Sequence, residues 1–182
     1  LKTTLAAALA SDRLELFLEP VAALPQRSIK GYEATLRLKG VPPEEADLRR
    51  VATATGLRAD LDRLLVERAA QVLRILRARN REATALCRIG GESLTAEPFR
   101  AALDALGRSD PALSAAVTLE IAEAEYEALD TAGRESMSAL AEKGFTFSLC
   151  DLGRLRPALA EAGTLGVNRL RIAADELLRA QT

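Results

Sequence analysis

The stretch GYEATLRLKG, residues 31–40, alternates apolar and polar side chains in the way that a half-buried β-strand does. Because successive side chains of a strand point to opposite faces, Glu33, Thr35 and Arg37 share one face. We therefore predict a strand over residues 31–39. An acid and a base on the same face as a threonine indicate that this face does more than complete an apolar core.

Strand-like and helix-like segments alternate on both sides of this stretch. LELFLE, residues 14–19, predicts a strand that Pro20 interrupts, and the LPQRS turn makes it the first half of a hairpin. Residues 56–80 carry leucine and valine at steps of three and four, which predicts a long helix facing the core. Further strands are predicted at 83–89, 115–123, 145–153 and 167–173, and further helices at 1–13, 96–108, 124–144, 155–163 and 175–181. This alternation predicts an α/β protein with six strands in a largely parallel sheet.

Composition excludes several classes of function. The 182 residues carry a formal net charge of −1, so no global charge favours nucleic acid or a membrane surface. Histidine is absent, which removes histidine-based nucleophile pairs, imidazole zinc sites and the commonest general base. Cys87 and Cys150 lie far apart, and no leader or membrane-length apolar run is seen, so we expect a reducing, cytoplasmic setting. We expect one domain over residues 1–182. Because the chain begins with Leu1 rather than methionine, we expect it to be a fragment of a longer protein.

Polar residues, most of them charged, recur near the carboxyl ends of the predicted strands. In barrels and open parallel sheets, functional sites form at these ends. One such residue is typical of a surface salt bridge, but the repetition on five strands favours a polar face that converges on one site. The residues are Glu33, Arg37, Arg88, Glu120, Cys150, Asp151 and Arg171.

Seven segments, in order along almost the whole chain, resemble the EAL domain, the fold of bacterial cyclic-di-GMP phosphodiesterases. GYEATLR is similar to the Glu-Ala-Leu-x-Arg signature that names the family, with Thr35 in place of its leucine. The other segments are LFLEPVAAL, ATGLRADLDRLLVERAAQVL, CRIGGESL, VTLEIAEA, FTFSLCDLG and VNRLRIA. LPQR and GFTFSL also resemble degenerate EAL domains of alphaproteobacteria that are associated with flagellar placement.

The resemblance implies a TIM-like barrel whose first strand runs antiparallel, with two metal ions held by carboxylates over a phosphodiester. Glu33, Glu120 and Asp151 stand at metal-binding positions of the family. Only six of eight expected strands are predicted, so the barrel is incomplete in this chain. Its open edges would invite a protein partner or a second copy.

Departures from the family pattern predict that the domain holds no metal, uses no cofactor and is not an enzyme. Arg88 replaces the metal-binding asparagine and brings a fixed positive charge. Cys150 replaces a bridging aspartate, and a thiol is a poor ligand for magnesium. Arg171 and Ala173 replace the lysine and aspartate of Lys-Ile-Asp. We expect Glu33 to pair with Arg88, and Arg88→Ala to destabilise the fold by leaving Glu33 and Glu120 unpaired.

Three functions follow as alternatives. The first is a catalytically inactive EAL domain that acts as a cyclic-di-GMP receptor or scaffold, in which arginines hold the two phosphates. Its predicted ligand-binding residues are Glu19, Glu33, Arg37, Arg88, Glu120, Asp151 and Arg171. The second is an interaction module that has lost the dinucleotide, which the negative charge of Glu19 favours. The third is an active magnesium-dependent phosphodiesterase.

Overall fold

A single six-stranded sheet organises the chain, in the spatial order β1-β2-β3-β4-β5-β6. The computed structural model describes residues 2–42, 47–79, 81–152 and 159–173. The strands are β1 (Leu14–Ala23), β2 (Ser28–Leu38), β3 (Ala85–Arg88), β4 (Val117–Ala122), β5 (Thr146–Cys150) and β6 (Val167–Leu170). β1 is antiparallel to β2, and every later pair is parallel. The predicted α/β class and antiparallel first strand are confirmed, and the sheet is not closed among these strands.

The β1–β2 hairpin forms as expected but is longer than the sequence suggested. β1 continues through Pro20, which pairs in register with Tyr32, and a register shift follows between Val21 and Ala22. Among the described residues β1 pairs only with β2, so it is an edge strand. An edge strand tolerates proline because one of its sides needs no backbone donors. The prediction that Pro20 ends the strand was therefore wrong.

Helices connect the parallel strands. They are α1 (Lys2–Leu9), α2 (Leu48–Thr55), α3 (Arg58–Ala78), α4 (Glu97–Ser109), α5 (Pro111–Ser114), α6 (Glu123–Glu127), α7 (Thr131–Glu142) and α8 (Leu159–Thr164), with a 3-10 helix at Gly91–Thr95. The single helix predicted over 124–144 is interrupted, because the Asp130 side chain accepts a hydrogen bond from Gly133 N at 2.8 Å and starts α7. The helix predicted at 175–181 lies outside the described residues. No helix in the described ranges is both long and apolar enough to cross a bilayer.

The main core lies between the sheet and the helices that cover its outer side. Phe99 and Leu103 from α4 and Met137 from α7 pack there with Phe147 from β5, and all are almost completely buried. Side chains of opposite parity therefore line the inner side of the sheet. That inner side is largely polar, and it carries the residues considered next.

Candidate functional site

Neighbouring strands present hydrogen-bonding side chains on the inner side of the sheet. The hydroxyl groups of Thr118 on β4 and Thr146 on β5 lie 3.0 Å apart, and Ser148 Oγ donates to Glu120 Oε1 at 3.4 Å. Thr118, Glu120 and Ser148 are buried, so these contacts satisfy groups that water does not reach. The polar side chains that the sequence places on one side of each strand thus form one continuous face.

Arg171, directly after β6, joins two acids of this face. Its Nη1 donates to Glu33 Oε2 at 2.7 Å, and its Nη2 lies 2.8 Å from Glu120 Oε2. The second contact is an ion pair whose geometry falls short of a hydrogen bond, since Glu120 Oε2 has no hydrogen-bond partner among the described residues. The planar guanidinium group thereby bridges β2 and β4. The predicted pairing of Glu33 with Arg88 was wrong, because Arg171 occupies that place.

The surroundings of Glu120 and Arg171 shift the pKa values of both side chains. Burial raises the pKa of Glu120, and repulsion from Glu33 adds to the effect, although Arg171, Cys150 and Arg88 act against it. Burial disfavours the charge on Arg171, but Glu120 and Glu33 outweigh burial and raise the pKa of Arg171. The guanidinium group is therefore a permanent cation at the centre of the polar face.

Arg88 points to a different acid from the one expected. Its Nη2 donates to Asp151 Oδ2, across β4, from the end of β3 to the residue that follows β5. Asp151 has φ of 54°, a left-handed conformation that aspartate adopts more readily than most residues. The Asp151 side chain is 59% exposed, so this pair lies at the rim and is screened by water.

Arg37 is held within the hairpin. Its Nη2 donates to Glu19 Oε1 at 2.6 Å, and its guanidinium carbon lies 4.2 Å from the centre of the Phe17 ring. Both partners come from β1, so the contacts fix the arginine against the edge strand. Any anion that binds Arg37 must share it with Glu19.

Cys150 lies beside Glu120 at the end of β5 and is completely buried. Burial, with the negative charge of Glu120, raises the pKa of its thiol to about 12. The thiol is therefore protonated at neutral pH and is not available as a thiolate ligand.

A buried network that the sequence reasoning missed supports the loop after β3. Asp62 on α3 accepts hydrogen bonds from Arg58 Nε at 2.9 Å, from Gly90 N at 2.7 Å and from Ser93 Oγ at 2.7 Å. Burial raises the pKa of Asp62, while Arg58 and the two other donors oppose that shift. The signal in the sequence that could have revealed this network was Asp62, an acid next to the apolar Leu61 in a core-facing helix.

Two clefts border the polar face. One, of about 400 Å³, lies at the end of β2 and β3 against α2 and α3, and its lining includes Arg37, Arg49 and Arg88. The other, of about 420 Å³, lies on the inner side of the sheet and includes Glu33, Glu120 and Arg171. Five of the seven predicted site residues therefore line these clefts, whereas Glu19 and Asp151 line neither and contact Arg37 and Arg88 instead. Arg49 was not among the predictions.

The acids do not fit a pair of divalent ions in this arrangement. Glu33 and Glu120 share Arg171, and Asp151 holds Arg88, so each carboxylate that the resemblance nominated as a metal ligand contacts a guanidinium group. Within the described parts of the chain, no three acidic, histidine or cysteine side chains come close enough to share an ion. A metal would first have to displace both arginines.

The family model of the EAL domain matches residues 2–182. This chain belongs to the EAL family. No curated protein sequence matches it significantly. The recognition made from the seven sequence segments is therefore confirmed at the level of the family.

Solved EAL structures share the fold of this chain. The EAL enzyme Bd1971, in a form bound to cAMP and cyclic-di-GMP, has a TM-score of 0.79 at 18% identity over 99% of this chain. The FimX EAL domain from Pseudomonas aeruginosa bound to c-di-GMP has a TM-score of 0.76 at 20% identity over 99% of this chain. The phosphodiesterase PaMucR, in complex with c-di-GMP, has a TM-score of 0.73 at 21% identity over 88%. The chain spans 51% of the Bd1971 chain, 74% of FimX and 69% of PaMucR.

The prediction that this chain is not an enzyme is contradicted. The EAL family is a family of cyclic-di-GMP phosphodiesterases, and PaMucR among the structural neighbours is named as one. That prediction also relied on Arg88 lying between Glu33 and Glu120, whereas Arg88 contacts Asp151.

Proposed function

We propose that this EAL domain binds cyclic-di-GMP at the carboxyl end of its sheet and holds the dinucleotide with arginine side chains. The observation that carries the proposal is the convergence of Arg37 and Arg88 on one cleft of about 400 Å³, with Arg171 on the adjoining inner face. The dinucleotide complexes of FimX and PaMucR, which share this fold, support the choice of ligand. The proposed site comprises Glu19, Glu33, Arg37, Arg88, Glu120, Asp151 and Arg171.

Guanidinium groups can perform this binding without a divalent ion. Each arginine has five N–H donors, and Arg37 and Arg88 each use one nitrogen in their contacts with Glu19 and Asp151. The remaining donors can form two parallel hydrogen bonds with a phosphate oxygen pair. Glu33 and Glu120 then act by fixing Arg171 rather than by holding a metal.

Isothermal titration of the chain with cyclic-di-GMP tests the proposal. We expect saturable binding with a micromolar dissociation constant, and Arg37→Ala should weaken it about tenfold because one charged contact with a phosphate is lost. Chromatography of the same samples measures any linear dinucleotide that is formed. The absence of heat at millimolar ligand, with the fold intact by circular dichroism, would contradict the proposal.

The contact between Arg37 and Glu19 favours a second function. Because Glu19 neutralises the arginine at 2.6 Å, an EAL domain with this pair can serve as a protein-interaction module that no longer binds the dinucleotide. Glu19→Gln, the family residue at this position, distinguishes the two functions. Under the first proposal it strengthens binding that the parent chain already shows, whereas under the second it creates binding that the parent chain lacks.

We also propose that the domain acts on a protein partner in the cytoplasm, as a scaffold or as a homodimer. Among the described strands the outer edge of β1 has no partner, which supports an interaction role, since an exposed strand offers backbone donors and acceptors. The resemblance of LPQR and GFTFSL to flagellar-placement proteins suggests polar or flagellar organisation as its setting. Light scattering with and without cyclic-di-GMP measures whether the oligomeric state follows the ligand.

A further inference from the structure

Arg49, in the first turn of α2, differs from the three arginines of the proposed site. Arg37 contacts Glu19, Arg88 contacts Asp151, and Arg171 contacts Glu33 and Glu120. Among the described residues, Arg49 has no hydrogen bond and no ion pair within the usual distance, and it is exposed. Its guanidinium group is therefore available to a ligand without first breaking a bond to the protein.

The position of Arg49 places it where two cavities meet. It lines the cleft of about 400 Å³ together with Arg37 and Arg88. It also lines a shallower cleft of about 430 Å³, where Arg50, Arg58 and Arg88 are its cationic neighbours. A ligand that fills the first cleft can therefore reach Arg49 and Arg88 at the same time.

Charges around Arg49 favour an incoming anion. Burial of part of the side chain lowers the pKa of Arg49, and the positive charges of Arg88 and Arg58 lower it further. Asp47 opposes that shift, but one of its oxygens accepts a hydrogen bond from Arg50 N and caps α2. Glu125 is the other acid of the shallower cleft. Arg58 and Arg88 have acidic partners outside this lining, Asp62 and Asp151, yet both still repel Arg49, and a phosphate beside Arg49 would relieve that repulsion.

We propose that Arg49, with Arg88 beside it, forms a phosphate subsite that holds one of the two phosphodiester groups of the dinucleotide. This inference rests on the proposed function, because it assigns a contact within the same ligand. Arg49 supplies a guanidinium fork that has no competing carboxylate within ion-pair distance among the described residues. Arg88 supplies the donors that its contact with Asp151 leaves unused.

Calorimetric titration of four proteins with cyclic-di-GMP tests the subsite: the parent chain, Arg49→Ala, Arg49→Lys and Arg74→Ala. We expect Arg49→Ala to weaken binding between about tenfold and a hundredfold, because a charged hydrogen-bonding group is lost. Arg49→Lys keeps the charge but loses the fork and should fall in between. Arg74 is an exposed arginine on α3 that borders a different cleft, so its removal controls for net charge and should change affinity less than twofold.

A second readout separates this inference from the proposed function. Thermal melting is compared in sodium phosphate and in sodium chloride at equal ionic strength. The subsite predicts that phosphate stabilises the parent chain and Arg74→Ala, but not Arg49→Ala. If phosphate gives this pattern of stabilisation while titration with cyclic-di-GMP shows no binding, the subsite stands and the proposed function fails. If Arg49→Ala binds the dinucleotide as tightly as Arg74→Ala, the subsite is wrong and the proposed function stands.

Discussion

At the scale of single residues, Arg171 is the cation that pairs with the two acids of the polar face, Glu33 and Glu120. The Glu120 side chain is completely buried, yet Arg171 itself is 37% exposed. The ion pair therefore reaches from a dry interior to the solvent. A buried acid that loses its cation is costly, whereas an exposed one is solvated by water.

Arg171→Ala should lower the free energy of unfolding by about 2 kcal/mol, because Glu33 and Glu120 then face each other without a cation. Partial exposure of the arginine keeps the loss below that of a fully buried pair. The matched variant Arg88→Ala should cost less than about 1 kcal/mol, since Asp151 is solvated. Urea denaturation of both variants measures the difference. A larger loss for Arg88→Ala would contradict the assignment of the central cation.

Glu120 should make stability fall as the pH rises. Burial raises the pKa of Glu120 above its ordinary value of 4.5. At a pH between the pKa of Glu120 in the unfolded chain and its higher pKa in the folded chain, the folded chain holds a proton that the unfolded chain has released. The free energy of unfolding therefore decreases as the pH rises through this range. Urea titrations between about pH 4 and pH 8 should show this slope in the parent chain and a smaller one in Glu120→Gln. An equal slope in both would assign the effect to another group.

At the scale of elements, the join between α3 and the loop after β3 depends on a buried ion pair. Arg58 and Asp62 are 7% and 1% exposed, whereas Arg63 and Glu67, with the same spacing one turn on, are 35% and 40% exposed. The two pairs have identical sequence separation. Burial and the contacts of Asp62 with Gly90 and Ser93 distinguish them.

Asp62→Ala should destabilise the fold by about 3 kcal/mol, because Arg58 becomes a buried cation without a partner and Gly90 N loses its acceptor. Glu67→Ala, which breaks the exposed pair at the same spacing, should cost less than about 1 kcal/mol. Chemical denaturation measures both. Similar losses would mean that the Asp62 network is solvated.

The sequence predicted elements well where local pattern decides them. The alternation in β2 and the apolar stripe of α3 identified both elements, because a period of two or of 3.6 residues is a local property. It erred at Pro20 and at Asp130, where an edge position and a helix cap decide the outcome. The interruption at Asp130 was readable from its capping side chain, but the edge position of β1 depends on the whole sheet.

At the scale of the whole molecule, strand parity revealed the polar face but not its pairings. Arg88 and Arg171 both have the parity to meet Glu33, and only the curvature of the sheet and the reach of each side chain select Arg171. The antiparallel first strand followed from the family resemblance, and the structure confirms it. Arg49 could not be recognised, because its neighbours in space come from distant parts of the sequence.

The central claim is that arginines, rather than metal ions held by Glu33 and Glu120, bind cyclic-di-GMP in this EAL domain. Calorimetric titration of the dinucleotide in excess EDTA and in millimolar magnesium tests it most directly. We predict dissociation constants that agree within about twofold, because the acids already hold Arg171. Binding that appears only with magnesium would contradict the claim.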